Sequence, residues 1–160
     1  MYKNTHVTVI IPALDEELSI GKVIMEIPSW VDRVIVADNG SADRTVEIAR
    51  TLGAEVVHAR ERGYGAACKT GMAFMPRTDI IVFLDADYSD DASRMGQLVE
   101  PIIENRVEIV FGSRILGYPE PGSLTLQQRW GNWLATRLIF LFWDVRFTDL
   151  GPFRAIRYQT

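Results

Sequence analysis

The chain reads as an α/β protein, a mostly parallel sheet flanked by helices in a single domain over residues 1–160. Two observations carry this. Apolar runs such as Val7-Thr-Val-Ile-Ile11 and Ile80-Ile-Val-Phe-Leu84 are short and rich in β-branched residues, the character of strands buried on both faces. Between such runs lie helical patterns of roughly 10–15 residues, and that alternation builds βαβ units with right-handed crossovers.

Val7–Ile11 is the first strand, and Pro12, which has no backbone donor, stops it. Leu18, Ile20, Val23, Ile24 and Ile27 then recur at helical spacing until Pro28 ends the helix. Arg33–Ala37 is the second strand. Ser41-Ala-Asp-Arg-Thr45 offers cap residues for a helix carrying Val46, Ile48, Ala49 and Leu52, which Gly53 closes. Glu55–His58 is the third strand, and Gly65 to about Met75 a helix of small residues. The fourth strand ends at Asp85. A helix from about Ala92 to Glu104, shortened or kinked by Pro101, leads to a strand at Glu108–Phe111. Leu116–Thr125, with two glycines and two prolines, is an exposed loop. A helix from about Leu126 to Trp143 and a strand at Val145–Thr148 complete the pattern.

With 48% apolar and 24% charged residues the composition is that of a soluble globular protein. A net charge of −4 argues against non-specific binding to nucleic acid. Cys68 is the single cysteine, which excludes an intrachain disulfide and fits a reducing cytoplasm; it reads as a small buried hydrophobe on its helix. No signal peptide is expected ahead of the first strand. The strongly apolar stretch Trp133–Trp143 is 11 residues long and carries Arg137, against the roughly 20 residues a spanning helix needs. The expected setting is therefore the cytoplasm, at most peripheral to a membrane.

Chemistry gathers at strand ends. Asp85-Ala86-Asp87 puts two carboxylates one residue apart at the C-terminal end of a buried strand, where open α/β sheets bind ligands. Hard oxygen donors there suit a divalent cation shared with a phosphate. Pro12-Ala-Leu-Asp15-Glu16-Glu17 and Asp38-Asn39-Gly40-Ser41 follow two other strands and converge on the same edge. Asp15, Glu16 and Glu17 alone also fit charge compensation at a helix start, and Asp38 and Ser41 fit turn and cap chemistry. Their coincidence on one edge favours a site. A dinucleotide-binding domain would need a glycine fingerprint after the first strand, but that turn is the acidic Ala13-Leu14-Asp15-Glu16.

Val9-Ile-Ile-Pro-Ala-Leu-Asp-Glu-Glu17, Val36-Ala-Asp-Asn-Gly-Ser-Ala-Asp43, Arg62-Gly-Tyr-Gly-Ala-Ala67, Phe83-Leu-Asp-Ala-Asp87 and Gly112-Ser-Arg114 resemble, in order and spacing, the family-2 glycosyltransferases. Thr148-Asp-Leu-Gly-Pro-Phe-Arg154 is similar to a later motif of the dolichyl- or polyprenyl-phosphate hexosyltransferase branch. The resemblance implies a glycosyltransferase A-type, Rossmann-like fold and an inverting enzyme that moves a hexose from a nucleoside diphosphate sugar to an acceptor. By the motifs, Pro12, Ala13, Leu14 and Glu16 match base and ribose contacts, and Asp38 the aspartate near the base. Asp85 and Asp87 match the pair that holds Mg²⁺ or Mn²⁺ on the diphosphate, with Ala86 between them. Arg114 and Arg129 match basic positions that grip an acceptor phosphate, a task suited to the bidentate guanidinium. Asp149 matches the position assigned as general base or acceptor-positioning group; with Asp87 and Arg114 it completes the expected catalytic set.

Donors of the UDP-glucose and GDP-mannose types both fit, and polyprenyl phosphate is the acceptor the resemblance implies. Trp130, Trp133, Phe140, Phe142 and Trp143, mixed with Arg129 and Arg137, suit a helix resting at a lipid interface, although burial against the sheet is the commoner use of such a helix. Two departures stand out. Relatives follow the aspartates with Leu-Gln-His-Pro-Pro, where this chain has Tyr88-Ser89-Asp90-Asp91, so the metal shell is expected to differ. Relatives also continue past the Gly-x-Phe-Arg motif, so part of the acceptor side is expected to be absent. Missing packing partners would leave apolar surface and favour a homodimer. They would also fit a nucleotide-sugar-binding or assembly module without turnover, and a small soluble hydroxyl acceptor is a further alternative.

Overall fold

Seven consecutive buried residues make β1 (Val7–Ala13) the spine of the structure, a computed structural model that describes residues 1–112 and 151–158. The chain divides into two compact units, Met1–Val110 with Phe153–Thr160, and Phe111–Pro152. The expected loop at 116–125, helix at 126–143 and strand at 145–148 lie outside the described residues, as do Arg114, Arg129 and Asp149.

In chain order the elements are β1, α1 (Ile20–Glu26), β2 (Arg33–Asp38), α2 (Thr45–Thr51), β3 (Glu55–His58), α3 (Tyr64–Phe74), β4 (Ile80–Phe83), α4 (Met95–Ile103), β5 (Ile109–Phe111) and β6 (Arg154–Arg157). The sheet runs β3-β2-β1-β4-β6-β5. β1 pairs in parallel with β2 and β4, β2 pairs in parallel with β3, and β6 runs antiparallel to β4. The connections step outward from β1 to β3 and then restart at β4 on its other side. β1 and β4 therefore flank the switch point where sheets of this kind open a crevice.

Alternation along β1 divides the core. Val7, Val9 and Ile11 join Ile20, Val23, Met95, Val99 and Ile102 in the larger cluster, under α1 and α4. Ile10 faces the other way and meets Cys68, Ile81 and Phe83, under α3. That helix lies close because its inner face is small: a Cβ on Gly71 would stand 2.6 Å from Ile10 Cγ2. Cys68 is buried, as its place in the pattern suggested.

Several expectations are corrected. Pro12 does not stop β1, which runs on to Ala13 in register with β2. The Ile10 carbonyl accepts from Leu84 N–H, so by alternation Pro12 faces the β4 side. Its missing N–H leaves nothing to offer Leu84 there, and it is β4 that ends, at Phe83. Leu18 is no core residue: the helix starts only at Ile20, and Leu18 sits exposed in the turn before it. The helix expected over 92–104 is α-helical only from Met95 to Ile103, with Pro101 inside it, two residues before its end, its carbonyl accepting from Arg106 N–H. β6 had no counterpart in the sequence reading. It is short, with arginines at both ends and Ala155 buried between. Arg157 earns its place by donating to the Ile102 carbonyl and Asn105 Oδ1 at the end of α4, and by pairing with Glu108. The Gly53 expectation holds: at φ +85° it lets its own N–H reach the Arg50 carbonyl and Ala54 N–H reach the Ala49 carbonyl.

Candidate active site

Because β2, β1 and β4 are parallel neighbours, their C-terminal ends place Asp38, Ala13-Leu14 and Asp85-Ala86-Asp87 along one edge. The three polar clusters read from the sequence are thus brought together.

At the β1 end, Pro12 and Ala13 are buried in the strand, and the Ala13 carbonyl accepts from Asn39 N–H at 2.9 Å. Leu14 is 47% exposed. Glu16 is half-buried, and its Oε2 accepts from Ser19 Oγ at 2.6 Å. At the β2 end Asp38 is only 2% exposed. Its carboxylate accepts from Ser41 N–H at 3.0 Å and Gly40 N–H at 3.2 Å, and lies 2.9 Å from His58 Nδ1. Burial alone would push this carboxyl up, but the Ser41 hydroxyl and amide, His58 and the Gly40 amide together hold it below the usual aspartate range.

His58 was missed in the sequence. The signal was available only through register, since β2 and β3 pair Asp38 with His58. The ring stays 61% exposed beside its buried partner. Asn39 stood in the strand-end cluster read from the sequence, but with no role of its own. It is buried, donates through Nδ2 to the Glu61 carbonyl at 2.8 Å and accepts Gly63 N–H on Oδ1 at 2.6 Å. One amide side chain therefore fixes the connection that delivers α3, with Gly63 at φ +120°, a backbone state open to glycine.

The turn after β1 and the turn after β2 are tied by five hydrogen bonds. Asp15 N–H donates to Ser41 Oγ, Glu16 N–H to Thr45 Oγ1 and Glu17 N–H to Asp43 Oδ2, while Ala42 N–H donates to Asp15 Oδ1 and Arg44 N–H to Glu17 Oε2. The backbone amides of Asp15, Glu16, Glu17, Ala42 and Arg44 are therefore occupied by protein acceptors. A diphosphate has no bare amide cradle here, unlike the first turn of a dinucleotide-binding fold.

At the β4 end Asp85 is half-buried, Ala86 buried and Asp87 exposed. Asp87 Oδ1 accepts from Ser89 N–H at 2.9 Å across Tyr88, whose φ is +65°. Tyr64, in the first turn of α3, stands near Asp85: burial pushes its hydroxyl pKa up, the Asp85 charge pushes the same way, and Arg154 opposes both. Arg154 is delivered by the register of β6, opposite Phe83, with its guanidinium 5.1 Å from the Phe83 ring centre. Among the described residues no three His, Cys, Asp or Glu side chains gather as a metal cage. Asp85 and Asp87 offer hard oxygens and no thiolate or imidazole. That set fits Mg²⁺ or Mn²⁺ completed by substrate phosphate and water. No helix among the described residues is long and apolar enough to cross a membrane.

Comparison with known proteins gives the family and the fold. The sequence model of glycosyl transferase family 2 matches residues 8–159. An uncharacterised protein of Methanocaldococcus jannaschii is 30% identical over 94% of this chain and 64% of its own length. The UDP-N-acetylglucosamine–dolichyl-phosphate N-acetylglucosaminyltransferase of Methanococcus voltae is 29% identical over 88% of this chain and 64% of its own. Glucosyl-3-phosphoglycerate synthase of Mycobacterium tuberculosis, solved with Mn²⁺, UDP-glucose and phosphoglyceric acid, superposes with a TM-score of 0.76 at 27% identity, over 96% of this chain and 57% of its own. The chain thus spans about three fifths of the length of these proteins, and carries their glycosyltransferase A-type architecture. With its motifs in order from the first strand to β6, the chain belongs to glycosyl transferase family 2.

Proposed function

We propose that the chain binds a nucleoside diphosphate hexose, of the UDP-glucose or GDP-mannose type, along the edge formed by β2, β1 and β4, and passes the hexose with inversion to a polyprenyl or dolichyl phosphate. The observation that carries this is the adjacency of those three strand ends, with an acid-rich, amide-saturated wall at one end and Asp85 and Asp87 at the other. Pro12, Ala13, Leu14, Glu16 and Asp38 line the base and ribose end; Asp85 and Ala86 line the diphosphate end. Asp85 and Asp87 hold Mg²⁺ or Mn²⁺, which when bound neutralises charge building on the departing diphosphate.

In the transfer an acceptor oxygen bonds to the anomeric carbon as the bond from that carbon to the diphosphate oxygen breaks, its electron pair leaving with the nucleoside diphosphate. Arg114 and Arg129 grip the acceptor phosphate, and Asp149 orients the acceptor. A phosphate acceptor arrives ionised, so Asp149 has little proton to remove; a hydroxyl acceptor needs it as base. The dolichyl-phosphate relative supports the first acceptor. The solved relative holding phosphoglyceric acid supports a second reading, transfer to a small soluble hydroxyl.

Incubation with radiolabelled UDP-glucose or GDP-mannose, Mn²⁺ and either dolichyl phosphate in detergent or phosphoglyceric acid separates these. Label in the organic phase, with the anomeric configuration inverted by NMR, is the expected result. Label on phosphoglyceric acid selects the second reading. Donor binding with neither product would mark a binding module without turnover.

A further inference from the structure

Asp15, Glu17 and Asp43 are acidic groups on the turns that follow β1 and β2, and the obvious use for them is direct contact with a ligand. Their geometry gives them another. Each accepts a backbone N–H from the opposite turn: Asp15 from Ala42 at 2.7 Å, Glu17 from Arg44 at 3.1 Å, and Asp43 from Glu17 at 3.0 Å. The pattern is reciprocal, because Glu17 gives its amide to Asp43 and takes one from the residue beside it. Two hydroxyls extend the seam, Ser41 taking Asp15 N–H at 3.0 Å and Thr45 taking Glu16 N–H at 2.7 Å. Asp43 is engaged on both oxygens, since its Oδ1 also accepts Thr45 N–H at 2.9 Å. Asp15 holds its place in a left-handed conformation, φ +55°, which aspartate tolerates better than most residues.

Each of the two turns is a short connection between a strand end and the start of a helix. Separately they would sample many conformations, and a ligand resting on both would have to order both. Five hydrogen bonds join them over 15–17 and 41–45.

We propose that Asp15, Glu17 and Asp43 are positioning residues that lock the turns after β1 and β2 into a single pre-formed wall for the nucleoside half of the donor, without touching it. The proposal rests on the reading that the nucleoside lies along these two strand ends.

The two kinds of role respond differently to amide substitutions. Asn in place of Asp15 keeps an oxygen for the Ala42 N–H, and Gln in place of Glu17 keeps one for Arg44. Asn in place of Asp43 cannot serve both amides, because both Asp43 oxygens accept and one would become an amide NH2, which only donates. A charge acting on the ligand would be lost equally in all three.

The test is calorimetric titration of UDP-glucose and GDP-mannose with Mn²⁺ into wild type and Asp15→Ala, Asp15→Asn, Glu17→Ala, Glu17→Gln and Asp43→Asn, with amide hydrogen exchange on the free proteins. The wall predicts donor Kd weakened roughly tenfold in the two alanine variants and in Asp43→Asn, the scale of one lost hydrogen bond to a charged group. Asp15→Asn and Glu17→Gln restore wild-type Kd. Exchange rises at Ala42 in Asp15→Ala, at Arg44 in Glu17→Ala and at Glu17 in Asp43→Asn, each the amide that loses its acceptor, and the kinetic effect falls on donor KM rather than kcat. Equal weakening by Asn or Gln and by Ala would show direct charge recognition and overturn the proposal. So would faster exchange with unchanged Kd. Wild type that binds neither donor takes down the functional reading itself, a result distinct from these. Should Asp43→Asn fold poorly, the Asp15 and Glu17 pairs, at exposed positions, decide the matter.

Discussion

Asp38 is a carboxylate almost wholly withdrawn from water yet held ionised, since its Ser41, His58 and Gly40 partners outweigh the penalty of burial. A carboxyl whose folded pKa lies below its ordinary value of 3.8 stabilises the fold fully above that value. That stability is lost as pH falls through the lowered folded value. Asp43 and Asp32 are shifted in the same direction and act in the same window. Asp38→Asn is expected to cost about 1–3 kcal/mol at neutral pH, the range for a broken hydrogen bond to a buried charge. The gap from wild type should narrow toward pH 3 in denaturant titrations at both pH values. A gap that stays constant would mean the charge of Asp38 contributes nothing to the fold. At this scale the sequence revealed which carboxylates cluster but not what each one faces. His58 became visible only when β2 and β3 were in register, and Leu18 fitted the helical period while sitting ahead of the helix.

Among the elements, α3 is the most tightly seated on the sheet. Gly71→Ala is expected to force the helix and Ile10 apart and to cost about 1–3 kcal/mol, the range for overpacking a full core. Gly65→Ala, in the same helix with open space around it, should instead be neutral or stabilising by up to about 1 kcal/mol. Chemical denaturation of both variants checks the contrast; equal effects would contradict the close approach. The alternation of apolar runs and helical periods was enough to place β1 to β4 and α1 to α3 within a residue or two. It failed where local rules compete with tertiary pairing. Pro12 reads as a strand stop, yet it only lacks a donor on the side where β4 ends. β6 is four residues with a charge at each end, and it is a strand because β4 has an open edge and Arg157 binds the end of α4.

Across the molecule, sheet order turns separate strand ends into one site. The polar cluster after β1 becomes a neighbour of one at 38–41 and of another at 85–87, far apart in sequence, because β1 lies between β2 and β4 with the same direction. The sequence could suggest that convergence because parallel strands put all their C-terminal ends on one edge. It could not show that the turns after β1 and β2 engage each other's amides. Calorimetric titration of UDP-glucose and GDP-mannose into wild type and Asp87→Ala, each with and without Mn²⁺, asks whether the β4 carboxylates hold a metal for the donor. One donor binding only with Mn²⁺, and that binding lost in Asp87→Ala, is the predicted result; binding that ignores both the metal and the substitution would contradict it.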